Sequence, residues 1–361
     1  MNRDLNLINA INFLIQSIDC NSGGSAASYS RLYYPLKGWS KPYPETTGYI
    51  VPTFLKLSEN EKFKELNQIS LKMGDWFISI QNEDGSFPGG TYPSRKNQKS
   101  IFNTAQIIIG LVSLYKKTDD KKYYNSLHQA ALWLSKNQEN DGSWKKFQYF
   151  KSFSPSYYTR VAWPMLMAYQ ITNDKTILDS AVSALDFILS KIQKNHMIKD
   201  CGFQSDTYAF LHTISYTIRG FLESFLILKD QKYFDAAYNL SFLLLRKFEL
   251  NKKLGGAYFE NLKSIEWYRC ITGEAQLAIV WLKIFKFNND VRFLNSASKL
   301  IDAISKTQIK RSGLIFKKGG ILGSYPFYGR YISFRQPNWA TKFYIDALIL
   351  EQNLYQKLEN E

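Results

Sequence analysis

The chain has 361 residues, 45% hydrophobic and 16% aromatic, ample for a sizeable core, and no stretch approaches the roughly 18 consecutive apolar residues of a membrane span. Its net charge of +15 asks for an anionic partner: nucleic acid, an acidic glycan or nucleotide-sugar, or anionic lipid headgroups. Cys20, Cys201 and Cys270 lie far apart, with neither metal-ligand spacing nor the even count of a disulfide framework, so reduced thiols are expected.

One unit recurs along the chain: an amphipathic helix, an aromatic- and glycine-rich loop, then a more apolar helix. The opening MNRDLNLINAINFL carries Asp4, Asn6 and Asn9 where a signal peptide needs an apolar run, and reads as the first outer helix of a cytoplasmic protein. The second helices are expected to begin near Pro44, Phe102, Tyr157, Leu211, Arg269 and Gln336, 54 to 67 residues apart. No linker interrupts them. Each hairpin leaves an apolar face that it cannot bury alone, so six of them should close into one all-α domain over residues 1–361, an α/α toroid of inner and outer helices.

In the second unit an outer helix is expected over 61–81, with Ile69, Met73, Trp76, Phe77 and Ile80 on one stripe. It ends in QNEDGSFPGG, and the third unit repeats this as NQENDGSW. Gly85 and Gly142 suit the positive φ of a helix exit, Asp84 and Asp141 suit the turn, and Phe87 and Trp144 can fold back on the hairpin. Between these units KKTDDKK sets Asp119 and Asp120 among lysines in a turn. Further on, the run from Lys306 to Arg335 holds Lys310, Arg311, Lys317, Lys318 and Arg330 and no acidic residue, a patch able to track a polyanion or to serve solubility alone.

The Q-x-x-D-G-S-(F/W) pattern resembles the QW-type repeat of the squalene and hopene cyclase and prenyltransferase superfamily, which implies the α/α toroid. Terpene chemistry would need an Asp-rich motif, and Asp119 and Asp120 are the only adjacent aspartates. The zinc ligands of protein prenyltransferases are missing too, so no metal and no organic cofactor is expected. Residues 22–55, 269–285 and 319–348 resemble a family of toroid proteins encoded with bacterial surface-polysaccharide genes, labelled prenyltransferase-like on fold. The last segment more distantly resembles the tail of glucuronyl carbon-5 epimerases, which act on acidic polysaccharides. The resemblance implies glycan assembly as the setting.

In such a ring the N-termini of the inner helices converge on one mouth that favours anions. Glu45 stands first among the polar residues there, with Tyr49, Tyr158, Arg160, Arg219, Arg269, Trp339 and Lys342 as substrate-binding candidates and Tyr328 on a loop beside them. Aligning the Thr-Gly pairs of the first and fifth inner helices sets Tyr49 opposite Glu274, so Glu45 and Glu274 are both expected at the cavity, as acid and base or as a glycosidase pair. Helix-dipole stabilisation for Glu45 and a salt bridge from Arg269 or Arg160 for Glu274 are the plainer readings.

Of the histidines, His128 and His196 read as structural or solvated. His212 has Asp206, Tyr208 and Tyr216 near it in sequence, and with Arg219 this group can hold a uronate carboxylate and abstract its α-proton; a buried histidine satisfied by a tyrosine is the rival. Tyr33, Tyr34, Trp39, Tyr43, Tyr325 and Tyr331 offer faces for sugar stacking. The expected function is a cytoplasmic epimerase or lyase of surface-polysaccharide biosynthesis. It acts on an acidic glycan or a lipid- or nucleotide-linked sugar, with His212, Tyr216, Glu45 or Glu274 catalytic, no nucleic acid partner, and membrane contact through the basic surface. A glycoside hydrolase, an isoprenoid cyclase or transferase, and a non-catalytic glycan-binding toroid are the alternatives.

Overall fold

The computed structural model describes residues 3–93, 98–149, 153–205 and 207–360. Twelve α-helices alternate between two concentric rings. The outer ring holds α1 (Arg3–Asp19), α3 (Glu65–Ile80), α5 (Lys121–Lys136), α7 (Lys175–Leu189), α9 (Gln231–Asn251) and α11 (Val291–Ser305). The inner ring holds α2 (Pro44–Leu57), α4 (Ile101–Thr118), α6 (Thr159–Thr172), α8 (Leu211–Leu228), α10 (Ile271–Asn288) and α12 (Asn338–Asn360). Each inner helix packs on the next, and α12 packs on α2, which closes the toroid expected from the repeat. The expected outer helix at 61–81 is shorter, because Glu61–Phe63 forms a separate 3-10 turn before α3.

The two ends of the ring differ because their connections differ. Four inner helices, α4, α6, α8 and α10, hand over to outer ones through two-residue turns: Asp119, Asn173, Lys229 and Asn289 each take a left-handed conformation, and the following Asp120, Asp174, Asp230 and Asp290 cap the next helix with a carboxylate. Adjacent aspartates at 119 and 120 are thus a helix stop and a helix start. The long loops all lie at the other end, before the inner helices. Threonines near the inner-helix starts hold three of these loops: Thr47, Thr104 and Thr341 accept from the backbone N–H of Ser25, Phe87 and Ile321 at 2.9, 2.9 and 3.0 Å.

A glutamine ties three of the mouth loops to the next outer helix. Gln81 Nε2 donates to the carbonyls of Gly85 and Ser126, both at 3.0 Å, while Ser126 Oγ donates to Gln81 Oε1 at 2.6 Å. Gln138 repeats this with Gly142, at 3.0 Å, and Ser180, at 2.9 Å. The glycines fit closely as well: at Gly142, with φ of 84°, a Cβ would lie 2.4 Å from the Ser183 carbonyl oxygen. Phe87 and Trp144 fold back into the core, as expected.

A third staple, not apparent in the motif, closes the ring. Gln308 Nε2 donates to the carbonyls of Asn6 and Gly319, both at 2.9 Å. Ser28–Tyr29 pairs with Gln336–Pro337 across the same seam, and Arg3 bridges Asp302 and the buried Glu351. Each staple amide is multiply bonded, Gln308 buried and Gln81 and Gln138 half-buried, so Gln138→Ala and Gln308→Ala should each lower unfolding free energy by about 2 kcal/mol. Urea denaturation followed by circular dichroism tests this, and midpoints equal to the parent's would show that the staples carry no stability.

Candidate active site

The inner-helix N-termini do converge on one mouth, and they enclose a chamber of about 330 Å³. Five tyrosines (Tyr43, Tyr149, Tyr157, Tyr216, Tyr331) line it with Phe102, Phe203, Phe210, Trp339, Ile332, Glu45, His212 and Arg330. Glu45 is its one carboxyl among the described residues. It follows Pro44 in the first turn of α2, a position where a helix dipole favours the ionised form. Burial prevails. The carboxyl is pushed up to about 7 from 4.5 by desolvation, against the opposing pull of the Tyr43 hydroxyl, the Arg160 charge and the Tyr49 and Tyr216 hydroxyls. Tyr49 Oη donates to Glu45 at 3.5 Å, with the buried Tyr216 hydroxyl beside them.

His212 lies in the first turn of α8, its ring 4.3 Å from that of Tyr216 and 5.1 Å from that of Tyr331. Burial, and then the Arg160 charge, depress it to about 3, so the ring is neutral at pH 7. The Gln276 amide nitrogen lies 2.6 Å from Nδ1. Donation from that amide leaves the ring proton on Nε2, so His212 acts as a hydrogen-bond donor and not as a base. Burial and the nearby Glu45 raise Tyr216 above the usual phenol range. Trp339 Nε1 donates to Tyr331 Oη at 2.9 Å, and Tyr43 Oη lies 2.8 Å from Tyr149 Oη.

The floor of the chamber is an aromatic layer. Tyr49 stacks on Phe343 with centroids 5.4 Å apart, Tyr216 meets Phe343 at 5.9 Å, and the Arg160 guanidinium lies 4.8 Å from the Tyr216 ring. Beneath it a second cavity of about 360 Å³ runs toward the inner-helix C-termini.

Several expected site residues belong elsewhere. Glu274 is fully buried and does not face the chamber: both of its oxygens are held by Arg269, whose Nε donates at 2.8 Å, so neither residue is available as base or anion holder. Arg219 and Lys342 line the lower cavity, in ion pairs with Glu223 and Asp346. Tyr49 and Arg160 also line the lower cavity, at its boundary with the chamber. Tyr158 is packed between Phe102 and Trp144, and its neighbour Tyr157 lines the chamber instead. Tyr328 is exposed, stacked on Trp267 at 6.4 Å. Trp39 packs on Phe13 and Tyr29 at the ring seam, each at 4.8 Å. His128 bonds Asp174 at 3.0 Å and His196 is exposed, both away from the site. Asp206 lies outside the described residues.

Glu45, His212, Tyr216 and Trp339, with the stacking candidates Tyr43 and Tyr331, are the expected residues that the fold brings together. Arg330, named in sequence only as part of a basic run, supplies the chamber's cation at the rim, where it lies over Tyr208 at 5.9 Å and Trp267 at 6.0 Å. Tyr149, Phe203 and Phe210 carried no signal beyond being aromatic residues on loops before an inner helix. Among the described residues no group of three or more His, Cys, Asp or Glu is placed to hold a metal.

A carboxyl whose folded value exceeds its unfolded one binds more protons in the folded state, so it costs stability as pH rises from about 4.5 to about 7 and fully above that. Glu45→Gln removes the cost. The variant should be more stable than the parent at pH 8 by up to about 3 kcal/mol, and the gain should vanish below pH 4.5. A pH-independent difference in urea unfolding would show that Glu45 titrates normally.

No protein-family model matches the chain, and no curated protein matches it. Solved structures do. An unsaturated glucuronyl hydrolase specific for heparin superposes with a TM-score of 0.74 at 14% identity, covering 98% of both chains. The cellobiose 2-epimerase of Bacillus thermoamylovorans B4167 gives 0.75 at 12% identity over 96% of both. A sugar epimerase from a ruminal bacterium gives 0.72 at 13% identity over 95% of this chain and 96% of that one. At these identities the likeness establishes the fold alone, an α/α toroid, and it lends no support to the squalene cyclase and prenyltransferase resemblance.

Proposed function

We propose that this protein is a carbohydrate-active enzyme that moves a proton on an acidic, uronate-type sugar bound in the upper chamber, by epimerase or lyase chemistry. The observation that carries this reading is the single carboxyl of the chamber, Glu45, poised near neutrality and faced by phenol hydroxyls. Glycosidases of the common type need two carboxyl groups flanking the bond, and Glu274 cannot be the second. One carboxyl suffices to take a proton from the carbon beside a sugar carboxylate. Its electron pair then moves into that carboxylate, where Arg330 and the His212 Nε2–H offset the added charge. A proton returned from the Tyr216 hydroxyl to the opposite face completes epimerisation. Loss of the β-substituent instead completes elimination. The aromatic wall suits the apolar faces of pyranose rings.

A second reading follows from the glucuronyl hydrolases among the structural neighbours. In an unsaturated uronyl sugar the same acid protonates the carbon–carbon double bond, and water adds to the cation. An isoprenoid reading gains nothing from a chamber of tyrosines with a histidine, an arginine and no aspartate.

Incubation with uronate oligosaccharides in deuterium oxide, read by mass spectrometry and NMR, separates these. Deuterium at the carbon beside the carboxylate, reduced about 100- to 10,000-fold in Glu45→Gln, is expected. Loss of the ultraviolet absorbance of an unsaturated uronyl disaccharide without exchange would favour the second reading. Binding with neither change would leave a glycan-binding toroid.

The setting, surface-polysaccharide assembly on a lipid- or nucleotide-linked sugar at the inner face of a membrane, rests on the sequence resemblance. No helix among the described residues is long and apolar enough to cross a membrane. Two mouth loops support peripheral contact. Leu36 and Leu314 are 99% and 92% exposed at their tips, Arg31 N–H donates to the Ile315 carbonyl at 3.1 Å to tie the loops together, and Lys37, Arg311, Lys317 and Lys318 flank them. The protein should sediment with vesicles containing phosphatidylglycerol, and Leu36→Asp with Leu314→Asp should abolish this. Equal sedimentation of parent and double variant would sink the membrane contact.

A further inference from the structure

The lower cavity holds more positive charge than the fold can use. Five cations, Arg160, Arg219, Lys283, Lys342 and Lys56, line it against two carboxylates, Glu223 and Asp346; the half-exposed Lys56 pairs with Glu59 outside the lining. Arg219 and Lys283 share Glu223, and Lys342 pairs with Asp346 at 2.6 Å. Arg160, only 2% exposed, has no carboxylate within ion-pair distance among the described residues. Its Nη2 donates to Gln106 Oε1 at 2.7 Å, and its Nε has no hydrogen-bond partner. Unbalanced charge out of water is costly unless something pairs with it.

Helix dipoles do not account for the excess. The negative end of a helix acts over its last turn. Arg219 and Lys283 lie about 13 Å and about 7 Å before the ends of α8 and α10, at 1.5 Å per residue. Arg160 and Lys342 stand near the starts of α6 and α12, where the dipole repels a cation. Burial depresses Lys283 and takes Lys342 down to about 8, the direction expected for cations held without enough counter-charge. The walls are Tyr49, Trp163 and Phe343, with Arg160 4.7 Å from the Trp163 ring, so flat apolar faces stand beside the cations.

We propose that the lower cavity is a second binding site, for a tetrahedral oxyanion, the phosphate or sulfate group of a substituted sugar, gripped by Arg160, Arg219, Lys283 and Lys342 while the aromatic faces take the ring. It lies beyond the floor of the upper chamber and does not depend on the proton-transfer reading. A cavity that couples to the chamber through Arg160 can report its occupancy to Glu45, since the same guanidinium opposes the rise of that carboxyl.

Isothermal titration calorimetry on the full chain with inorganic phosphate, glucose 6-phosphate and glucose 6-sulfate tests this, and the preferred ligand of the three identifies the oxyanion. Lys283→Met should weaken binding about tenfold, and Glu223→Gln, which frees Arg219 and Lys283 from their carboxylate, should tighten it about tenfold. Misfolding cannot mimic that tightening. The readout is binding and not turnover, so a chain that takes up the oxyanion yet exchanges no proton on uronates separates failure of the upper-chamber reading from failure of this one. No heat with any of the three ligands, or binding that neither Lys283→Met nor Glu223→Gln alters, would overturn the proposal.

Discussion

Three of the mouth loops depend on a glutamine amide that cannot be satisfied within its own hairpin. Gln81, Gln138 and Gln308 each reach one carbonyl in the loop that follows and one in the next outer helix. A buried amide left unbonded is costly, so the loop must pack against that helix for the bonds to form. Glycine lets the loop backbone come close enough, since a Cβ at Gly85, Gly142 or Gly319 would meet a carbonyl oxygen of the neighbouring outer helix within 2.5 Å. The long loops are thereby fixed around one end of the ring. The aromatic residues they carry then enclose a chamber of constant shape.

Inside that frame the aromatic floor divides the axis into two unlike environments. Above it a carboxyl, a neutral imidazole and several phenols share a space with one rim cation, so protons are easily exchanged and fixed charge is scarce. Below it fixed charge dominates. Arg160 belongs to both, because its charge opposes the rise of Glu45 and adds to the depression of His212 from beneath the floor. Desolvation sets the ionisation of both residues, and Arg160 trims it.

The repeat and the closed ring were legible because hydrophobic period, glycine position and the Q-x-x-D-G-S spacing all report local geometry. Gln308 escaped that reading: its glycine lies eleven residues on and no D-G-S follows it. Glu45 could be found because helix starts face the mouth. Glu274 occupies a similar start, yet an arginine five residues earlier closes over it, a contact that spacing alone leaves undecided. Tyr157 and Tyr158 are adjacent, and only the 3-10 turn at Ser156–Tyr158 determines which of them faces the chamber. Arg219 shows a different limit. A helical period reports which side of α8 a residue occupies, but depth along the axis decides which cavity it enters, and Arg219 lies two turns below His212.

The seam that closes the ring joins Arg3 to Glu351, Asn6 to Gln308, and Ala27 to Asn338, pairs separated by about 300 residues of chain. The upper chamber draws Tyr43 and Glu45 from one side of that seam and Arg330, Tyr331 and Trp339 from the other. During synthesis the first five inner helices must therefore emerge with an open apolar edge and half a chamber. The chamber is complete only once α12 has left the ribosome and docked between α1 and α2.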